Sequence, residues 1–258
     1  MAWARTYDQP DPQRINKWLA QSGVCSRREA EALIAQGLVS IDGETVADAG
    51  RKITHGQTLV LSDSAQASLD QSFTAIIHKP VGIVSAQPEK GQIPAARLLT
   101  AEAMWGPRGS RIPRKDDSLP ALGRLDMDSR GLLILSEDGV LAKALIGPDS
   151  DLDKEYLVFA IGEITDEKLA LLRHGLELDG RKLRPALVER IADQRLRITL
   201  KEGRNRQIRR MFELVELKVA DLFRVRIGPL TLGDMPEGRW RPMTAEERTA
   251  LIGHSIGG

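Results

Sequence analysis

Strand-forming stretches outnumber helical ones in this chain, and the two kinds do not alternate. Beyond residue 73, "FTAIIHKPVG", the run Leu132–Leu135, "KEYLVFAIG", the hairpin-like "LELDGRKLRPALVERIADQRLRITL" and "KVADLFRVRIGPLTLG" all carry strand character. Helical periodicity shows at "GVLAKALIG", at "TDEKLALLRHG", with Thr165 as N-cap and Gly175 as stop, and at about 205–216. A doubly wound fold needs a helix between most successive strands. The pattern lacks that succession, so it predicts an α+β domain with a mixed or antiparallel sheet and flanking helices.

A smaller unit precedes this one. In "RINKWLAQSGVCSRREAEALIAQGLVSIDGETV", Ile15, Trp18 and Leu19 share one helical face before Gly23 breaks the pattern. Ser26 followed by Glu29 forms an S-x-x-E capping box. Ala30, Leu33 and Ile34 make the apolar stripe of the helix that follows, and Gly37 suits its end. "LVSIDGETV" is strand, Asp-Gly turn, strand, and "TLVL" adds a further strand. Residues 14–62 therefore read as two helices plus a small sheet. Residues 1–13, polar with two prolines, read as a tail, and the Ser-, Ala- and Asp-rich 63–72 as a linker. That leaves 73–258 as the larger domain, in which 100–120 reads as a long functional or mobile loop.

Composition narrows the chemistry. With aromatics at 4% of 258 residues, the core must be mainly aliphatic. The one cysteine, Cys25, cannot form a disulfide within the chain, which points to a reducing cytoplasm. His55, His78, His174 and His254 are scattered, so no metal-ligand spacing emerges. The opening "MAWARTYDQPDPQR" lacks a signal-peptide core, and apolar runs are far shorter than a membrane span. Nothing signals an obligate oligomer, so a monomer is expected. Net charge is +1, which by itself announces no polyanionic partner.

Three stretches concentrate charge. In "CSRRE", Arg27 and Arg28 open the second helix; a solvated charged face accounts for them as well as a phosphate site does. In "LKEGRNRQIRRMFELV", Ile208, Met211, Phe212 and Val215 form one apolar stripe. Arg206 and Arg210 face away from it, while Arg209 sits on its border and can reach inward. Periodicity makes this an amphipathic helix with a basic outer face; the density of arginines also suits phosphates. In "LGRLDMDSRGLLILSEDG", Asp126, Asp128, Glu137 and Asp138 are not ranked by composition, and an ordinary acidic turn is compatible with all four.

Two resemblances give these stretches roles. Residues 14–62 resemble the S4 RNA-binding domain, at the leading basic residues, "SGVCSRREAEALI", "GLVSIDG" and the closing strand. The resemblance implies RNA contacts from Arg14, Lys17, Arg27 and Arg28. "HKPVGIVSA", "LGRLDMDSRGLLILSEDG", "KEYLV" and "EGRNRQIRRMF" stand in the order and spacing of the RsuA/RluB/RluE/RluF family of rRNA pseudouridine synthases, most like its large-subunit RluF-type members. His78 departs from the asparagine usual in that family, and Ser129 from its threonine.

That resemblance implies isomerisation of a uridine in 23S rRNA, free or in a precursor particle, without metal or cofactor. The C1′–N1 bond breaks, the uracil turns, and a C1′–C5 bond forms. Asp126 would either attack C1′ or remove the C2′ proton, ionised in both cases. Desolvation drives a buried carboxylate toward its neutral form and a nearby guanidinium counters this; the motif assigns that part to Arg209. It places Tyr156 against the target base, which must leave its stack to reach Asp126. Arg124, Lys154, Arg204, Asn205 and Gln207, with Arg206 and Arg210, become substrate or RNA contacts. A 16S rRNA target, and an RNA-binding ribosome-assembly protein without activity, are the alternatives.

Overall fold

The structure, a computed structural model, describes residues 3–106, 111–114 and 119–256. It divides into two compact units, Met1–Thr74 with Ser136–Lys143, and Ala75–Leu135 with Ala144–Gly258.

In the first unit the elements are β1 (Ala4–Thr6), β2 (Gln13–Arg14), α1 (Ile15–Gln21), α2 (Arg27–Ala35), β3 (Val39–Ile41), β4 (Glu44–Thr45), β5 (Lys52–Ile53), β6 (Thr58–Leu61) and α3 (Asp63–Asp70). A four-stranded sheet runs in the order β1-β6-β3-β4, and β2 pairs with β5. The capping box forms as the sequence predicts. Ser26 Oγ accepts from the Glu29 amide at 3.2 Å, and Glu29 Oε2 accepts from the Ser26 amide at 2.6 Å. Such caps stabilise a helix by about 1 kcal/mol. Ile15, Leu19, Ala30 and Ile34 are buried on the facing stripes of α1 and α2.

Two expectations fail here. Of the 1–13 stretch, the described residues 3–13 are no loose tail: β1 pairs antiparallel with β6, and Tyr7 is buried against Trp18, ring centroids 5.3 Å apart. Aromatic burial outweighs the polar composition of that segment. The 63–72 stretch is not an irregular linker either. It holds the eight-residue α3, whose N-cap Ser62 accepts from the Ala65 amide and whose Ala65 is fully buried. Alanine and a serine cap favour a helix as readily as they fit linker composition.

The larger unit is built on β7 (Thr74–Lys79), β8 (Ile83–Val84), β9 (Ile93–Pro94), β10 (Arg130–Ser136), the end of α4 (Gly139–Ile146, which begins in the first unit), β11 (Lys154–Ile161), α5 (Asp166–Arg173), β12 (Glu177–Leu178), β13 (Arg181–Lys182), β14 (Leu187–Ala192), β15 (Arg195–Leu200), α6 (Gln207–Leu214), β16 (Lys218–Ile227), β17 (Leu230–Thr231), β18 (Trp240–Pro242) and α7 (Ala245–Ile256). Its eight-stranded sheet runs β14-β15-β11-β16-β10-β7-β18, with β17 on β16. The β10–β16 pairing is parallel, whereas β11 is antiparallel to both β15 and β16, so the sheet is mixed as predicted. The sequence reading assigned no element to α7.

Gly131 lets β10 run close against β16. Its φ is +116°, and a Cβ there would lie 2.2 Å from the Arg224 carbonyl oxygen. Of the 100–120 loop, the first part is fastened to β18: Trp240 Nε1 donates to the Thr100 carbonyl and the Trp105 amide to the Trp240 carbonyl. Residues 107–110 and 115–118 lie outside the described residues.

Candidate active site

Asp126 sits in a short loop that leads into β10. Strong local geometry does not hold this loop; three distant segments do. Arg224 of β16 donates from Nη1 to the Arg124 carbonyl at 3.3 Å. Ser85 Oγ donates to the Leu125 carbonyl at 2.7 Å and accepts from the Leu125 amide at 2.8 Å. The Gly82 amide donates to the Met127 carbonyl at 2.8 Å, and Arg209 Nη2 to the Asp128 carbonyl, also at 2.8 Å. Within the loop, the Ser129 amide donates to the Asp126 carbonyl. The backbone from Arg124 to Ser129 is thus fixed while the Asp126 carboxylate stays part-exposed, on a cleft of about 570 Å³.

The cleft collects most of the residues singled out from the sequence. Asp126, Arg124, Lys154, Tyr156, Asn205 and Arg206 line it, as do Arg204 and Gln207. Lys154 and Tyr156 lie two apart on β11 and so share a face of the sheet. Tyr156 is buried to 9% exposure, with Arg224 as its cross-strand neighbour on β16. Burial holds the Lys154 ammonium below its ordinary range, and the charge of Arg224 adds to that.

The cations around the loop differ from the arrangement predicted. Arg209 does not pair with Asp126. From the buried face of α6 its guanidinium reaches the Val219 and Asp128 carbonyls and Ser129 Oγ, and its Nε lies 3.3 Å from the Asp128 carboxylate. Arg206, expected to face solvent or polyanion, is the cation at Asp126, with Nη1 3.6 Å from Oδ2. It also grips Asp128 with two bonds, at 3.2 and 3.0 Å. The reason is backbone: Arg206 is the N-cap of α6 in the left-handed region, φ 48° and ψ 32°, which takes it out of the helical projection used to place it. Non-glycine residues rarely adopt that conformation, which costs about 1–3 kcal/mol and recurs at functional sites.

Burial acts to raise the Asp128 carboxyl, but the Arg206 bonds and the charges of Arg209 and Arg206 outweigh it and hold it below its usual range. Lys79 is fully buried, its Nζ donating to the Pro80 and Ile83 carbonyls. Burial brings its pKa down to about 8 against the opposing charges of Asp126 and Asp128.

Other expected contacts are occupied by the fold. Arg204 donates to the Leu178, Arg181 and Lys182 carbonyls and so clamps the β12–β13 hairpin. Gln207 is buried, its amide donating to Glu202. Arg210 pairs bidentately with Asp179. Asn205 is exposed at the cleft. His78 lies in the core, stacked on Phe223 with Nδ1 donating to the Met235 carbonyl. In the other unit Arg14, Lys17, Arg27 and Arg28 are exposed, and none forms an ion pair with another described residue. Ser85 and Arg224, which hold the loop, are not singled out by the sequence, and Asp128 is named there without a role. For Arg224 the available signal was a charged residue at an inward position of an otherwise apolar strand pattern.

Among the described residues no cluster of His, Cys, Asp or Glu could hold a metal ion, and no helix is long and apolar enough to cross a membrane.

A family model for RNA pseudouridylate synthase matches residues 74–214, and one for the S4 domain residues 13–59. The chain is 34% identical over 243 residues to the dual-specificity RNA pseudouridine synthase RluF of Salmonella typhi, covering 93% of this chain and 78% of that one. It is 33% identical to the ribosomal large subunit pseudouridine synthase B of Bacillus subtilis, over 91% and 93% of the two chains. A crystal structure of a pseudouridylate synthase aligns with TM-score 0.64 and 26% identity, over 92% of this chain and 99% of the other.

Proposed function

The chain belongs to the RNA pseudouridylate synthase family, and we propose that it converts one uridine of 23S ribosomal RNA to pseudouridine in the cytoplasm, as a monomer, on free RNA or a precursor particle. The observation that carries the site assignment is the loop around Asp126. Its neighbouring carbonyls are fastened by residues from β16, α6 and the 80–85 turn, while its own carboxylate is part-exposed on the cleft. A reacting group gains most from being held in position before substrate arrives.

In this reading a uridine leaves its stack and enters beside Tyr156. Asp126, with Arg206 beside it, acts at the ribose. The C1′–N1 bond breaks with its electron pair going to uracil; the ring turns; C5 bonds to C1′ and gives up its proton, and N1 takes one up. Arg124 and Asn205 at the cleft contact the nucleotide. Arg209 serves by holding the loop. Arg14, Lys17, Arg27 and Arg28 bind phosphates, supplying affinity that is independent of sequence.

The large-subunit target is supported by the likeness to the ribosomal large subunit pseudouridine synthase B of Bacillus subtilis. Mapping pseudouridines in both ribosomal RNAs from a strain lacking the protein tests the proposal. One 23S position should revert to uridine. A reverted 16S position would move the target to the small subunit, and an unchanged map in both would remove the proposed cellular role.

A further inference from the structure

Arg224 is an anomaly in the wall of the cleft. Its side chain is 2% exposed, yet it forms no ion pair with a described residue. Nε donates to the Leu132 carbonyl and Nη1 to the Arg124 carbonyl, but Nη2 is buried without an acceptor. A buried donor left unmatched costs about 1–3 kcal/mol, and a buried charge without a counterion costs more. The neighbourhood deepens the anomaly, since Lys154 and Lys79 both feel the Arg224 charge as repulsive. Two carbonyls could be held by a neutral donor. The positive charge needs another reason.

We propose that Arg224 is the electrostatic partner of the uracil as it departs from C1′, its Nη2 donating to a carbonyl oxygen of the detached base. The proposal rests on the uridine-isomerase reading of the cleft. When C1′–N1 breaks, the bonding pair leaves with the base and the negative charge spreads over N1, O2 and O4. The base is then an anion whose edge oxygens only accept. When C5 bonds to C1′, a pair from the ring makes the new bond, and the bond C1′ held meanwhile breaks, either releasing the Asp126 carboxylate or returning the proton to C2′. The C5 proton is then released and N1 takes one up, so the anion exists only between the two bonds. Arg224 stands where that anion forms, since its cross-strand neighbour is Tyr156 and it is bonded to the loop that carries Asp126. A backbone phosphate is a poorer match, because an arginine at 2% exposure beneath the cleft surface suits a flipped base and not a chain that stays at the mouth. Donors fixed where charge develops are among the largest contributions to rate.

The test separates charge recognition from turnover. The probe is 5-nitrouracil, a free base acidic enough to ionise within the pH range of a stable protein, followed by equilibrium dialysis. Wild type should bind it about tenfold more tightly once it is ionised, and Arg224→Gln should lose that gain. In single-turnover assays on RNA, Arg224→Gln should slow the reaction about 10²-fold with little change in RNA affinity, and Arg224→Lys should recover part of the rate. If Arg224→Gln does not fold, the pH dependence in wild type alone decides. An active wild type that binds both forms equally overturns the proposal and leaves the function standing, as does a folded Arg224→Gln that keeps the preference. A wild type that isomerises no uridine in any RNA overturns the function, and this role of Arg224 with it.

Discussion

Exchanging the two acids of the loop one at a time should separate chemistry from support. Asp126→Asn removes the carboxylate that lines the cleft, whose ion pair with Arg206 is long, at 3.6 Å, and solvent-accessible. Its stability cost is therefore under about 1 kcal/mol, while turnover should fall at least about 10³-fold. Asp128→Asn strikes the opposite balance. That carboxylate does not line the cleft; it joins Arg206 and Arg209. The Arg206 pair is exposed on both sides, so it contributes up to about 1 kcal/mol. Arg209 is 9% exposed and keeps its three oxygen acceptors, but its Nε loses the nearby charge, a further loss of about 1 kcal/mol.

Asp128→Asn should thus cost about 1–2 kcal/mol, a fall of about 2–8 °C in melting temperature, with turnover within about tenfold of wild type. The loss has a pH signature. Since the Asp128 carboxyl is held low, its contribution is present above the unfolded carboxylate value of about 3.9 and disappears as pH falls through the folded value. The two melting curves should converge on acidification. Turnover is read as tritium released from C5-labelled RNA, since C5 exchanges its hydrogen for C1′. If Asp128→Asn is inactive but melts like wild type while Asp126→Asn turns over, the assignment of the two acids is wrong.

Lys79 has a folded pKa of about 8 against an ordinary 10.5, so between those values the unfolded chain holds the extra proton and the Lys79 contribution to stability rises with pH. Denaturation across that window should show wild type gaining about 3 kcal/mol relative to Lys79→Met; a flat difference would contradict the burial of its charge. Gly131→Ala must displace the Arg224 backbone at a left-handed φ and should cost more than about 2 kcal/mol, measured by chemical denaturation. Arg27→Ala with Arg28→Ala should weaken RNA binding at low salt and lower the log–log salt slope by about two, with an unchanged slope removing both from the RNA contact.

What the sequence made legible was local. The capping box at Ser26, the Asp-Gly hairpin and the apolar stripe of α6 depend on residues within a few positions of one another, and each forms. The strand just before Tyr7 depends on β6, whose Thr58 is 52 residues from its partner Thr6, and no local pattern announces it. The cations were misplaced for a similar reason. Projecting 205–216 on one helical wheel puts Arg206 opposite the stripe, but the helix begins at Gln207 and Arg206 precedes it in a left-handed turn. Asp126 was ranked above Asp128 only through family resemblance; the cleft now separates them on geometry. Arg224 escaped because strand periodicity says that a side chain points inward and not which carbonyls it meets.

The site also explains how a chain of net charge +1 can host an anionic substrate. Lys79, Lys154, Arg206 and Arg224 surround the region of Asp126, and two of the four are fully or almost fully buried. Cations are driven from such positions by desolvation unless something negative is fixed beside them. Asp128 answers for Arg206 and Arg209, but no carboxylate pairs with Arg224 among the described residues. Its charge is held in place by the same bonds that fix the loop, to Leu132 and Arg124, so the fold cannot relax it outward without releasing Asp126. Fixing the carboxylate thus fixes an unmatched positive charge next to Tyr156, and the energy of that mismatch is recovered only when negative charge appears in the cleft.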